Sequence, residues 1–174
     1  MRIAIVMMLG GILAIPALPA VAQRAPEACA AIDYVLPKPF AGWTGRLALT
    51  SAAGRAGLPT AELQVGSAVD AALHSTAEVA YLVQPEKPGG TVSHGGLLQM
   101  RIERPGVYAV ALGSGAWIDL LKGTTPVVSS AHGHGPACSS IRKVVDFQLT
   151  PGRYVIQVSA NAAQQLAIMI AARP

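Results

Sequence analysis

KVVDFQLTPGRYVIQVS, residues 143–159, is the stretch whose reading decides the fold. Val145, Phe147 and Leu149 alternate with polar or smaller residues, and so do Tyr154, Ile156 and Val158. In an extended chain, residues two apart point to one face, so each run presents one apolar face. Thr150-Pro151-Gly152 between the runs carries turn chemistry, and the whole stretch is predicted to be an antiparallel hairpin.

The same alternation extends outward in both directions. Candidate strands are GRLALT (45–50), AELQV (61–65), AVDAAL (68–73), EVAYLV (78–83) and LLQMRIE (97–103). VYAVALG (107–113), AWIDLLK (116–122), PVVSSAH (126–132) and QLAIMIA (165–171) follow the same pattern. Turn signals at ERPG, KGTTP and LTPGR separate them. A helix competes at residues 67–80, where alanines are frequent, but alternation favours strands. About ten short strands with short connections predict an all-β fold, an antiparallel β-sandwich of jelly-roll-like kind.

The beginning of the chain has another character. Arg2 precedes an apolar run from Ile3 to about Ile15, and Ala20-Val21-Ala22 offers a small-x-small cleavage pattern. The run is too short to span a bilayer and prolines follow it, so 1–22 reads as a secretory signal peptide. The expected organisation is a signal peptide over 1–22, an extended Ala- and Pro-rich arm over 23–42, and a β-sandwich domain over 43–174. A periplasmic or secreted location follows.

Cleavage would remove Arg2 and lower the formal charge of +4 by one. The remaining basic residues are scattered, with only Arg142-Lys143 adjacent, which gives no nucleic-acid stripe. No later segment is long and apolar enough to span a membrane as a helix.

Cys29 and Cys138 are the two cysteines. In an exported chain they are expected to pair, the alternative being separate thiols or a thiolate ligand. A bridge closing a loop of about 109 residues would stabilise by up to ~4.7 kcal/mol in the chain-entropy model. There is no C-x-x-C motif, so a thioredoxin-like redox role has no support.

Three loops hold the candidate site residues. In SSAHGHGPACSSIRK (129–143), His132 and His134 stand two apart and could face one ion, with His94 of TVSHGG as a third nitrogen. Three histidines with an open position would suit zinc, copper or iron. The same histidines could instead be polar loop residues among turn-forming glycines. In PEKPGGTVSHGG (85–96), Glu86 and Lys87 open a glycine-rich loop that could line a ligand pocket or merely cross between sheets. In GSGAWIDLLKG (113–123), Trp117 and Asp119 share one side of a strand. That pair could hold a sugar or a cation, or Trp117 could be core. Arg142 could clamp a carboxylate or phosphate. No G-x-S-x-G elbow supports serine hydrolysis, and no phosphate-cradling loop precedes a helix.

The segments LLQMRIERPGVYAVAL, AWIDLLKG and VDFQLTPGRYVIQV resemble the bacterial pre-peptidase C-terminal β-sandwich domains. The resemblance covers about half the chain and implies a non-catalytic binding or accessory role. The whole chain is also similar to short exported proteins of alphaproteobacteria sometimes given the name homogentisate 1,2-dioxygenase. His132-Gly133-His134 resembles the H-x-H of that cupin-folded dioxygenase family, whose iron is held by two His and a Glu. The Glu would stand four or five residues after His134, where this chain has Cys138 and Ser139. The expectation is a binding or accessory protein for a small polar ligand or an envelope protein. Its binding residues would be Lys87, His94, Trp117, Asp119, His132, His134 and Arg142, with no required cofactor. The alternative is a metal-dependent enzyme using His94, His132 and His134.

Overall fold

The structure is a computed structural model that describes residue 29 and residues 32–174. The expected signal peptide and residues 23–28, 30 and 31 lie outside the described residues.

Among the described residues, twelve strands form two packed sheets. In chain order they are β1 (Leu47–Thr50), β2 (Glu62–Leu63), β3 (Ala68–Ala72), β4 (His74–Ser75), β5 (His94–Ile102) and β6 (Gly106–Leu112). There follow β7 (Trp117–Lys122), β8 (Thr125–Pro126), β9 (Ala131–Gly133), β10 (Lys143–Leu149), β11 (Gly152–Asn161) and β12 (Gln165–Ala172). One sheet runs β1-β3-β12-β6-β10-β9, and the other β2-β5-β11-β7-β8 with β4 on β5. The kernel β3-β12-β6-β10 facing β5-β11-β7-β8 has the wrapped strand order of a jelly roll. All-β and sandwich hold as read from sequence. Antiparallel pairing holds at the centre, but β1 joins β3 and β2 joins β5 in parallel.

Periodicity explains the core. Val145, Phe147 and Leu149 of β10 and Tyr154, Ile156 and Val158 of β11 are buried in one cluster between the sheets, while Gln148 is exposed. Val110 and Leu112 of β6 and Ile168 and Ile170 of β12 join them. The alternate positions of β6 and β12 carry small or flexible residues: Ala109, Ala111, Met169 and Ala171. These form a second buried cluster with Phe40, Trp43 and Ile141. Burial on both faces is why β6 and β12 read as nearly unbroken apolar runs.

Phe40 and Trp43 sit on a 3-10 helix, Lys38–Thr44, that straddles the expected boundary between arm and sandwich. That part of the arm is therefore wound rather than extended. Its indole needs a polar partner once buried. Trp43 Nε1 donates to Ser140 Oγ at 2.8 Å, and the Ser140 amide donates to Asp33 Oδ1 at 2.7 Å. Cys29 and Cys138 are bridged beside this network, with Cα atoms 5.4 Å apart. Such a bridge belongs to an oxidising, extracytoplasmic compartment. The glycine-rich loop folds back at Gly135, where any Cβ would overlap the Ile141 carbonyl.

Three sequence readings change. The stretch 143–159 is not a hairpin: β10 pairs with β6 and β9, and β11 with β5 and β7, in the opposite sheet. Thr150 and Pro151 carry the chain across the sandwich instead. Gly152 leaves the crossing at φ 149, a value that L side chains rarely adopt. The Tyr154 hydroxyl donates to the Thr150 carbonyl at 2.9 Å, and Tyr108 does the same to Arg104 at 2.9 Å where β5 crosses to β6. Both are tyrosine corners in P-G-x-Y segments. PVVSSAH is likewise no single strand, because Pro126 ends β8 in one sheet and Ala131 begins β9 in the other.

EVAYLV is not a strand either. A 3-10 turn covers Thr76–Glu78, and the following residues are held by a side chain. Gln157 Oε1 accepts the amides of Leu82 (2.7 Å) and Val83 (3.2 Å), and its Nε2 donates to the Val83 carbonyl (3.0 Å). One buried glutamine thus satisfies backbone groups that a neighbouring strand would otherwise have to pair.

Candidate functional site

β7 places Ile118 and Leu120 toward the core, so Trp117 and Asp119 turn to the other side. Trp117 Nε1 donates to Asp119 Oδ1 at 2.9 Å. Across the ladder, Ser159 lies opposite Trp117 and Gln157 opposite Asp119. Ser159 Oγ donates to the Lys87 carbonyl at 2.8 Å. Together with Gln157 it sutures the 79–90 segment over β11, and this delivers Glu86 and Lys87 to the side of β7.

Two ammonium groups then meet one indole. Lys87 Nζ lies 5.1 Å and Lys143 Nζ 5.3 Å from the Trp117 ring centroid. Lys143 Nζ also donates to the Ala116 carbonyl at 3.0 Å. Burial first, and the nearby Lys87 charge second, push the Lys143 ammonium below its ordinary pKa. Burial pushes the Asp119 carboxyl above its ordinary value; the Trp117 indole bond opposes the rise, the Glu86 carboxylate adds to it, and the Glu86 backbone N–H opposes it. Asp119 Oδ2 is shut from solvent without a hydrogen-bond partner among the described residues.

The space around these groups is a cleft of about 450 Å³. Ile118, Leu120, Val145 and Phe147 give it an apolar floor, and the crossing Pro126–Ser129 forms a wall. Glu86, Trp117, Asp119, His132 and Lys143 supply its polar groups. A second cleft of about 340 Å³ is lined by Gly115, His132, Gly133, His134, Arg142 and Lys143. His132 and Lys143 line both.

Of the sequence-derived site residues, Trp117, Asp119 and His132 line the first cleft, and His132, His134 and Arg142 line the second. Lys87 stands on the Trp117 ring. His94 is apart from both: it begins β5, opposite Ser75 of β4 and Asn161 of β11. Its Nδ1 has no partner among the described residues. Among those residues no three His, Cys, Asp or Glu side chains gather closely enough to hold a metal ion. The cleft shared by His132 and His134 adds a guanidinium and an ammonium rather than a carboxylate, so this donor set does not fit iron held by two His and a Glu.

Glu86 lines the cleft, in keeping with the pocket-loop reading of residues 85–96, whereas Lys143 and the wall residue Val128 are additions from the structure. Lys143 adjoins Arg142, and that adjacency was the one signal available for it. Val128 is 87% exposed, and its place on the cleft wall follows only from the fold. No protein-family model matches the chain, and no curated protein matches it.

Proposed function

We propose that this chain is an exported β-sandwich, periplasmic or secreted, that binds a small polar ligand or an envelope partner and carries out no chemistry of its own. One observation supports this reading: the paired clefts beside β7 are lined by five of the seven sequence-derived binding residues, with Lys87 on the Trp117 ring beside them, at one edge of a disulfide-bridged frame. Ligand pockets combine an apolar lining with a few convergent polar groups, and the larger cleft has that composition. Resemblance of the C-terminal half to pre-peptidase C-terminal domains agrees with a binding or accessory role.

The test is a thermal-shift screen of small polar metabolites against the chain purified from an oxidising compartment. A stabilising compound should lose its effect when His132→Ala and Trp117→Leu are introduced separately. Compounds that stabilise both variants as well as the parent would place binding elsewhere.

A further inference from the structure

The two clefts differ in charge, and this difference bears on the ligand. The smaller cleft is lined by two imidazoles, one guanidinium, one ammonium and two glycines, with no carboxylate. The two ion pairs among the described residues, Arg46–Asp70 and Arg173–Asp146, are elsewhere. Arg142, Lys143 and Lys87 therefore have no carboxylate partner among the described residues. The larger cleft joins the smaller through His132 and Lys143 and has a floor of Ile118, Leu120, Val145 and Phe147. Its two carboxylates, Glu86 and Asp119, would repel an anionic group placed beside them. A ligand cation at Trp117 would compete with the protein's own ammonium groups, since Lys87 and Lys143 already approach the ring.

Building on the binding role proposed above, we infer that the ligand is an amphiphilic anion. Its apolar body lies on the Ile118–Phe147 floor, and its carboxylate head lies among His132, His134, Arg142 and Lys143. Glu86 and Asp119 disfavour a reversed pose that sets the head against their own carboxylates, whereas Lys143, which lines both clefts, is on the side where the head lies. Arg142 supplies the fork that matches a carboxylate in bidentate fashion. The glycines Gly115 and Gly133 leave the mouth open, because a Cβ at either would meet nothing nearby.

Calorimetric titration with four probes tests this: octanoate, octan-1-ol, octyltrimethylammonium and inorganic sulfate, each below any micellar concentration. Octanoate should bind at least about tenfold more tightly than the other three, the factor expected from charge-assisted hydrogen bonds at a partly exposed site. The paired change Arg142→Glu with His134→Glu, both at exposed positions, should remove that advantage while leaving the melting temperature unchanged. Equal binding of any control probe, or undiminished octanoate binding by the paired variant, overturns the inference. If octan-1-ol matches octanoate, the anionic head is wrong and the cleft remains a binding site. If no probe binds, the ligand class is wrong, and the metabolite screen decides the binding role separately.

Discussion

The Tyr154 hydroxyl donates to the carbonyl of Thr150 at 2.9 Å, and this bond closes the crossing from β10 to β11 between the two sheets. Tyr154 is 2% exposed, so its hydroxyl has no easy substitute in water. Tyr154→Phe should cost about 1–2 kcal/mol in urea unfolding, because a buried hydroxyl that both donates to the Thr150 carbonyl and accepts the Thr150 amide is removed. Tyr108→Phe should cost a similar amount at the matching corner. An unchanged midpoint for both would mean that the corners do not hold the crossings.

Phe147→Asp should destabilise by several kcal/mol, since it buries a carboxylate without a partner. Gln148→Asp, one residue away and exposed, should stay within ~0.5 kcal/mol. Thermal melts of the two variants would reveal a register error if their losses were equal.

Chain isolated from an oxidising compartment should show no reactive thiol in denaturant, because Cys29 and Cys138 are joined and no other cysteine exists. Changing both to serine should lower stability by about 2–4 kcal/mol, reflecting the long loop that the bridge closes. Two titratable thiols per chain would contradict the pairing.

Burial raises the Asp119 carboxyl in the folded chain above its ordinary range, so the folded state holds the proton more tightly than the unfolded one. The protonated form is therefore the better-tolerated one. Stability contributed by that proton is fully present below the ordinary carboxylate value of about 4 and is lost as pH rises through the folded value. Asp119→Asn cannot ionise. It should melt higher than the parent at neutral pH, and the gap should close as pH falls toward about 4. A gap independent of pH would show that ionisation of Asp119 is not the cause.

Much of the fold was legible because side-chain alternation reports which face of a strand is buried. Lys143–Leu149 was delimited without error, and Val145, Phe147 and Leu149 face the core as read. Alternation says nothing about which strand is the hydrogen-bonded neighbour. An arch between sheets and a hairpin within one sheet place Phe147 and Tyr154 inward alike, so the crossing at Pro151 looked like a hairpin. EVAYLV failed for a different reason: its backbone partner is the side chain of Gln157, which sits 74 residues from Val83. Gln157 and Ser159 are polar at the positions of β11 that alternate with Ile156 and Val158, a pattern that does not distinguish a solvent-facing side from a covered one. In the structure they are buried and anchor the covering loop. The site was partly legible because strand periodicity pairs Trp117 with Asp119 and His132 with His134. The separation of His94 depends on sheet order, which periodicity does not carry.

Ligand binding at the edge between β7 and β10, as proposed, is testable through the indoles. The chain has two tryptophans, Trp43 buried under the outer face of one sheet and Trp117 at the cleft, so two indole N–H signals report two places in one spectrum. Proton–nitrogen correlation spectra recorded while the tightest-binding compound from the metabolite screen is added should move the Trp117 indole signal and the amides of His132 and Lys143. The Trp43 indole signal should stay in place. Movement confined to Trp43 or to residues remote from β7 and β10 would contradict the account.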